Sequence, residues 1–233
     1  MKNFTIIIPI FNESDSIFRL VDEITKEFKK IKPQLIIVND GSTDDFLKKK
    51  DKIRYKPFKL ITHTHNCGKC KAMYSGIKSA KNKNICIIDG DGQNPPYEAK
   101  KLMKYWNKLS KKQKKFGLIC GNRINRQDTI IKRVSSKVAN KIRRFILNDE
   151  CNDTACALKV FSRDDYLKLD YFLNMHRFLP ALFKMNSGEI HNVSVTDRKR
   201  ERGVSKYSFN NRFWIGVSDL IKVRLMILKR RKI

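Results

Sequence analysis

Ile85-Cys86-Ile87-Ile88-Asp89-Gly90-Asp91-Gly92-Gln93 is the stretch on which the reading of this chain turns. A short apolar run, long enough for one buried strand, ends in two carboxylates one residue apart, and a carboxamide follows. Hard cations take oxygen ligands, and Mg²⁺ or Mn²⁺ bridges carboxylates to phosphates. Acids at the end of an apolar strand lie where open α/β sheets bind their ligands. The stretch therefore predicts an α/β fold and a metal-assisted reaction on a diphosphate. The competing reading is an acidic turn with no ligand. Asn94-Pro95-Pro96 weighs against it, because a rigid turn fixes oxygen ligands in place.

Working outward, the same pattern repeats. Phe4–Ile10 is apolar and β-branched, a buried strand broken by Pro9 and Asn12, with Glu13 just after. Ser14 opens an amphipathic helix carrying Ile17, Leu20, Val21, Ile24 and Phe28, and Pro33 stops it. Leu35–Val38 is a second strand, ending in Asn39-Asp40-Gly41-Ser42, and Thr43, Asp44 and Asp45 suit a helix start. Phe58–Thr62, Ile85–Ile88 and Phe116–Gly121 read as strands, with helices over Gly68–Ala80 and Tyr97–Lys112 between them. Alternation of this kind predicts a largely parallel sheet with right-handed crossovers. The second half predicts a basic helix over Ile130–Leu147, with Ile142, Phe145 and Ile146 on its apolar side. It continues with a strand at Ala157–Phe161, a helix over Met175–Met185, a strand at Glu189–Val195 and a basic loop over Arg198–Lys206.

The chain has 233 residues, enough for one large domain, and 41% of them are hydrophobic. Lys and Arg total 51 against 23 acids, a net charge of +28. That balance favours anionic partners: nucleic acid, an acidic membrane surface or phosphorylated substrates. A solvated lysine-rich surface explains the bulk excess equally well. Basic residues are not interleaved with aromatics as in a nucleic-acid module, so no nucleic-acid partner is expected. Cys67 and Cys70 form one C-x-x-C with no second pair to complete a zinc site, and the thiols read as reduced and cytosolic. No signal peptide is expected, and no run reaches the roughly 18–20 apolar residues of a membrane span. The histidines show no metal spacing, though His176 stands as a functional candidate. Neither a G-x-S-x-G elbow nor a P-loop occurs.

Three strings, Ile7-Ile8-Pro9-Ile10-Phe11-Asn12-Glu13, Val38-Asn39-Asp40-Gly41-Ser42-Thr43-Asp44 and Asp89-Gly90-Asp91-Gly92-Gln93-Asn94-Pro95-Pro96, resemble family 2 glycosyltransferases. Gly121-Asn122-Arg123 and Arg200-Glu201-Arg202-Gly203-Val204-Ser205-Lys206 bring the resemblance nearest to the dolichol- or polyprenyl-phosphate mannosyltransferase group. The resemblance implies a GT-A fold, a single Rossmann-like domain with a mostly parallel central sheet, over residues 1–211. It implies that Pro9, Phe11, Glu13, Val38, Asp40, Asp89, Gly90, Asp91 and Arg123 hold a nucleotide sugar, either GDP-mannose or UDP-glucose. By the same resemblance Asp89, Asp91 and Gln93 hold Mg²⁺ or Mn²⁺, and Arg133, Arg200 and Lys206 face the acceptor phosphate. Asp91, Arg123, Arg200 and Lys206 are then the catalytic set, and transfer to a dolichyl or undecaprenyl phosphate proceeds with inversion. Transfer to a glycan or other non-lipid acceptor is the alternative. Gly90 and Gly92 replace bulkier residues of the group, which predicts a loose metal loop.

The tail fits a lipid acceptor. Phe213, Trp214, Val217, Leu220, Ile221, Leu225 and Leu228 share a helical face, flanked by Lys222, Arg224 and Lys229–Lys232. Residues 212–233 are expected to form a basic amphipathic helix, either lying on a membrane or packed on the core. The expected location is the cytoplasmic face of a membrane, held peripherally.

Overall fold

The computed structural model describes residues 1–124, 130–198 and 209–230, with side chains left out at 130–138 and 209–215. Strand β1 (Phe4–Ile10) is buried along its whole length, and α1 (Ile17–Glu27) follows. Next come β2 (Gln34–Asn39), the short α2 (Phe46–Lys49), β3 (Phe58–Thr62), α3 (Lys69–Ser79) and β4 (Asn84–Ile87). The chain continues through α4 (Pro96–Lys108), α5 (Lys111–Lys114), β5 (Leu118–Arg123), α6 (Ile130–Leu147) and β6 (Lys159–Ser162). It closes with α7 (Arg163–Leu167), α8 (Leu179–Met185), β7 (Ile190–Val195) and α9 (Phe209–Arg230).

The strands form one sheet in the order β3-β2-β1-β4-β6-β5-β7. The first three strands wind outward from β1. The chain then crosses back through α3 and adds β4 on the other side of β1, parallel to it. The order thus reverses between β1 and β4, and a crevice opens there at the carboxyl ends of the strands. Period-two alternation sends side chains to opposite faces. Ile6, Ile8 and Ile10 pack with α1 and α4, while Ile7, Ile36 and Ile87 pack with α3, α8 and α9. A sheet covered on both faces explains why its central strands read as continuous apolar runs.

The structure revises several boundaries. β6 runs antiparallel to β4 and β5, so the parallel sheet is mixed. The predicted helix over Tyr97–Lys112 ends at Lys108. Leu109 is extended, and Ser110 caps the separate turn α5 through a reciprocal bond with Gln113. The helix expected over Met175–Met185 is a 3₁₀ turn at Met175–Arg177 followed by α8, because Pro180 has no N–H to give a preceding turn. On α6 the expected apolar side is buried only in part among the described side chains, with Ile146 packed against the core. Ile142 and Phe145 are exposed, whereas Arg143 and Leu147 turn inward. Arg143 is tolerated there because its Nε donates to Asp149 Oδ2 at 2.7 Å, inside the protein. On α9, Val223 and Ile227 join the core, and Ile221, Leu225 and Leu228 face outward.

Candidate active site

The loop after β4 is built into the crevice by its backbone. Gly90 has no room for a side chain, since a Cβ there would come within 2.5 Å of Ile10 Cγ2. Its carbonyl accepts a hydrogen bond from Ser16 Oγ at 2.7 Å, tying the loop to the start of α1. Gly92 has φ +74°, a left-handed conformation open to glycine at little cost. Gln93 N–H donates to Asp91 Oδ1 at 3.1 Å, closing an Asx turn. Arg198, just beyond β7, then clamps the far side. Its Nε donates to the Gly92 carbonyl at 2.5 Å and its backbone N–H to the Gln93 carbonyl at 3.0 Å. Its fork grips Glu23 on α1, with Nη1–Oε1 at 3.1 Å and Nη2–Oε2 at 2.6 Å. The expectation of a loose metal loop is therefore overturned. The glycines are positions where the backbone must pass close or turn left-handed, and the loop is held by Ser16 and Arg198. Arg198, read from sequence as part of a phosphate-binding cluster, instead spends its guanidinium on this clamp.

Asp89, Asp91 and Gln93 leave this loop as an all-oxygen set, which suits a hard divalent cation. Lys69, the first residue of α3, places Nζ 2.5 Å from Asp89 Oδ1. The Lys69 ammonium neutralises Asp89 in this structure, and an ion held by Asp89 would displace it. The oxygen donors themselves fit Mg²⁺ or Mn²⁺. Lys69 was missed in the sequence because no spacing marks it. Only the return of α3 to the crevice brings it there.

On the other side of β1, two loops are stitched together. Thr43 N–H donates to Asn12 Oδ1 at 2.7 Å, Asn12 N–H to Ser42 Oγ at 2.9 Å, and Ser14 N–H to Asp44 Oδ2 at 2.8 Å. Ser16 Oγ also lies 3.2 Å from the Glu13 carbonyl and 3.3 Å from its Oε2, while its one hydrogen goes to the shorter Gly90 contact. Asp40 is 3% exposed and heavily engaged. His63 Nδ1 lies 2.7 Å from Oδ1, Cys67 N–H donates to Oδ1 at 3.0 Å, and Gly68 N–H donates to Oδ2 at 2.8 Å. A carboxylate offers about four lone-pair sites, so Oδ2 retains acceptor capacity. Phe11 is half-buried at the end of β1. Pro9 and Val38 are buried within their strands, and the Val38 side chain lies in the core beneath the site, not in the crevice.

Arg123 also differs from expectation. Sequence reading aimed it at a phosphate, but its Nε and Nη2 donate to Asp153 at 2.7 and 3.0 Å. Nη1 lies 3.5 Å from Asp197, whose Oδ1 accepts from Asn94 Nδ2 at 3.2 Å. Arg123 thus braces the end of β5 against β7 and the Asn94 turn. Arg200 and Lys206 lie outside the described residues, and so does the side chain of Arg133, which sits on α6.

The clamp has a pH signature. Burial works to raise the Glu23 carboxyl, but the Arg198 and Arg19 guanidiniums outweigh it and hold Glu23 below its ordinary value of 4.5. A depressed carboxyl contributes stability that is complete above the unfolded value and is lost as pH falls through the folded one. Arg198→Ala should therefore cost about 1 kcal/mol near neutral pH, a modest figure for a partly exposed pair. It should also flatten the acid limb of a melting-temperature profile below about pH 4.5. An unchanged acid limb in the variant would remove Glu23–Arg198 as its source.

The comparisons with known proteins agree with this geometry. Residues 5–169 match the family model described as glycosyl transferase family 2. Dodecaprenyl-phosphate galacturonate synthase of Rhizobium johnstonii is 30% identical over 227 residues, covering 94% of this chain and 65% of that protein. Undecaprenyl-phosphate 4-deoxy-4-formamido-L-arabinose transferase of Pectobacterium carotovorum is 28% identical over 214 residues, covering 90% and 64%. The chain spans about two thirds of the length of these relatives. Glucosyl-3-phosphoglycerate synthase from Mycobacterium tuberculosis, solved with Mn²⁺, uridine diphosphate and glucosyl-3-phosphoglycerate, has the same GT-A fold. It aligns with a TM-score of 0.71 at 15% identity, over 97% of this chain and 80% of that one. With the family model spanning β1 to α7, this chain is a member of glycosyl transferase family 2.

Proposed function

We propose that this chain transfers a hexose, with inversion, from a nucleoside diphosphate sugar to a polyprenyl phosphate. The observation that carries the reading is the clamped all-oxygen loop of Asp89, Asp91 and Gln93 at the reversal of strand order, with Lys69 beside Asp89. A divalent ion held there neutralises the charge that builds on a departing diphosphate. Lys69 is near enough to exchange Asp89 for a diphosphate oxygen when the donor enters. Asp40 keeps acceptor capacity on Oδ2 for a base N–H, a demand that both uracil and guanine meet. An acceptor phosphate has a second pKa near ~6 and is largely ionised at neutral pH, so no strong base is needed. Cationic groups must instead overcome repulsion between two phosphate-bearing substrates. Arg200 and Lys206 are assigned that role, with Arg133 beside them.

The outer surface favours a lipid acceptor over a glycan. Helix α6 packs against α9. Phe145 is 89% exposed on α6, and Ile221, Leu225 and Leu228 face outward on α9. Lys141, Arg144, Lys222, Lys229 and Arg230 are exposed among them. Apolar side chains standing out among cations suit an interfacial helix on an anionic membrane. Each cation near such a surface contributes on the order of 1 kcal/mol. No helix among the described residues is long and apolar enough to cross a membrane. In this reading α9 is the membrane-associated element that follows the GT-A core, and the protein works at the cytoplasmic face. GDP-mannose and UDP-glucose are the proposed donors. The galacturonate and formamido-arabinose in the relatives' names belong in the same donor screen.

Two experiments test the reading. The protein is incubated with Mn²⁺, labelled nucleotide sugars and a short polyprenyl phosphate, and label is expected in the organic phase. Asp91→Ala should lower that transfer by about 10²–10³-fold, equivalent to several kcal/mol of charge stabilisation. Arg200→Ala should raise the acceptor KM more than the donor KM. Label passing only to water-soluble glycan, or transfer undiminished in Asp91→Ala, would contradict the reading. In flotation assays with anionic vesicles, Phe145→Asp combined with Leu225→Asp should weaken binding about tenfold or more with little change in melting temperature. Equal flotation of both proteins would remove this surface from the account.

A further inference from the structure

Cys67 and His63 have no task in the reaction above, yet they gather at one point with Asp40. Asp40, His63 and Cys67 each offer one ligand atom, and the three atoms lie within 4.8 Å of one another. We propose that they form a second metal site, for a borderline-soft transition ion of the Zn²⁺ class, separate from the hard-cation site at Asp89 and Asp91.

Asp89, Asp91 and Gln93 offer only oxygen and suit Mg²⁺ or Mn²⁺. The second set offers one carboxylate oxygen, one imidazole nitrogen and one thiolate, the mixture that Zn²⁺ takes and Mg²⁺ does not. The two sets share no residue, and Asp40 would meet the second ion through Oδ1, which faces His63, while Oδ2 stays on the Gly68 side for a nucleobase.

Each ligand is also oriented from behind, as working metal ligands are. Asp40 is fixed by the N–H groups of Cys67 and Gly68 at 3.0 and 2.8 Å. His63 is fixed by Ser75 Oγ, 2.9 Å from Nε2. With the ring hydrogen on Nε2 and donated to that oxygen, Nδ1 carries the lone pair on the side of Asp40 and Cys67. Nδ1 and Asp40 Oδ1 are 2.7 Å apart as a hydrogen-bonded pair, and an ion that replaces that hydrogen would part them to about 3.3 Å, the spacing of two ligand atoms on a tetrahedral zinc. Cys67 sits on a loop whose neighbours Thr64, His65 and Asn66 are exposed, so solvent can reach the site and complete a four-coordinate shell. The Cys67 thiol gives up its proton to solvent on binding. Cys70 is not part of this set. It is buried, its Sγ lies 3.0 Å from His176 Nδ1, and it accepts the His176 N–H at 3.3 Å.

The test uses Co²⁺ and Zn²⁺ on the whole protein. Wild type with Co²⁺ should show a thiolate-to-cobalt charge-transfer band, which Zn²⁺ removes and excess Mg²⁺ does not. Cys67→Ser should abolish the band. Cys70→Ser and Asp91→Ala should retain it. His63→Gln should weaken Zn²⁺ binding, read by competition with a chromophoric chelator, at least about tenfold. Circular dichroism of each variant confirms that it is folded. A band that survives Cys67→Ser, or Zn²⁺ affinity unchanged in His63→Gln, would overturn the proposal. So would displacement of Co²⁺ by Mg²⁺.

Discussion

The parallel pairing of β1 with β4 is the constraint on which the site depends. Phe4 lies opposite Asn84 and Ile7 opposite Ile87, so β4 ends three residues short of β1 and the loop after it passes alongside Ile10. That register sets the loop carrying Phe11 to Glu13 next to the loop carrying Asp89 to Gln93. It exists because α3 returns across the sheet to its starting strand after β3. The same return delivers Lys69 to Asp89 and the Cys67–Gly68 amides to Asp40. Were β4 to pair at the outer edge of β3, the acids after successive strands would still be present, but strung along an edge without a crevice.

Electrostatics then divides the basic residues into two populations. Most of the +28 charge is carried by scattered lysines. Pairs such as Lys48 with Asp45 stand in solvent, are screened by it, and decide little. The arginines near the crevice behave differently. Arg123 with Asp153, and Arg143 with Asp149 behind it, are pairs in which both partners are largely or wholly buried. Removing one partner of such a pair costs roughly 3–5 kcal/mol, because a charge is left in the interior. These arginines set backbone positions. In the proposed reading, phosphate recognition by cations is left to Lys69 and to Arg200 and Lys206, the last two of which lie outside the described residues.

Much of the fold could be read from the chain. The central strands are buried on both faces, so each appears as an apolar run, and the acid after each run marks the ligand edge. What could not be read involved partners distant in sequence. The direction of β6 is invisible in a short apolar segment. Gly90 and Gly92 looked loose because their missing side chains are visible in the sequence, whereas Arg198, 106 residues beyond Gly92, is not visible as the clamp. Arg123 looked like a phosphate ligand for the same reason, since nothing in its neighbourhood announces Asp153, 30 residues on. On α6 the helical period does not reveal that Arg143 turns inward beside Ile146 and Leu147, because its partner Asp149 lies beyond the helix end.

The central claim is that Asp89 and Asp91 join a divalent ion to a nucleoside diphosphate within the clamped loop. Calorimetric titration of UDP and GDP, with and without Mn²⁺, tests it most directly. The account predicts that Mn²⁺ tightens binding of the preferred nucleotide at least about tenfold in the wild type, about 1.4 kcal/mol. It predicts no such gain when Asp89 and Asp91 are both changed to Asn. Equal affinity with and without Mn²⁺ in the wild type, or an undiminished gain in the double variant, would contradict it.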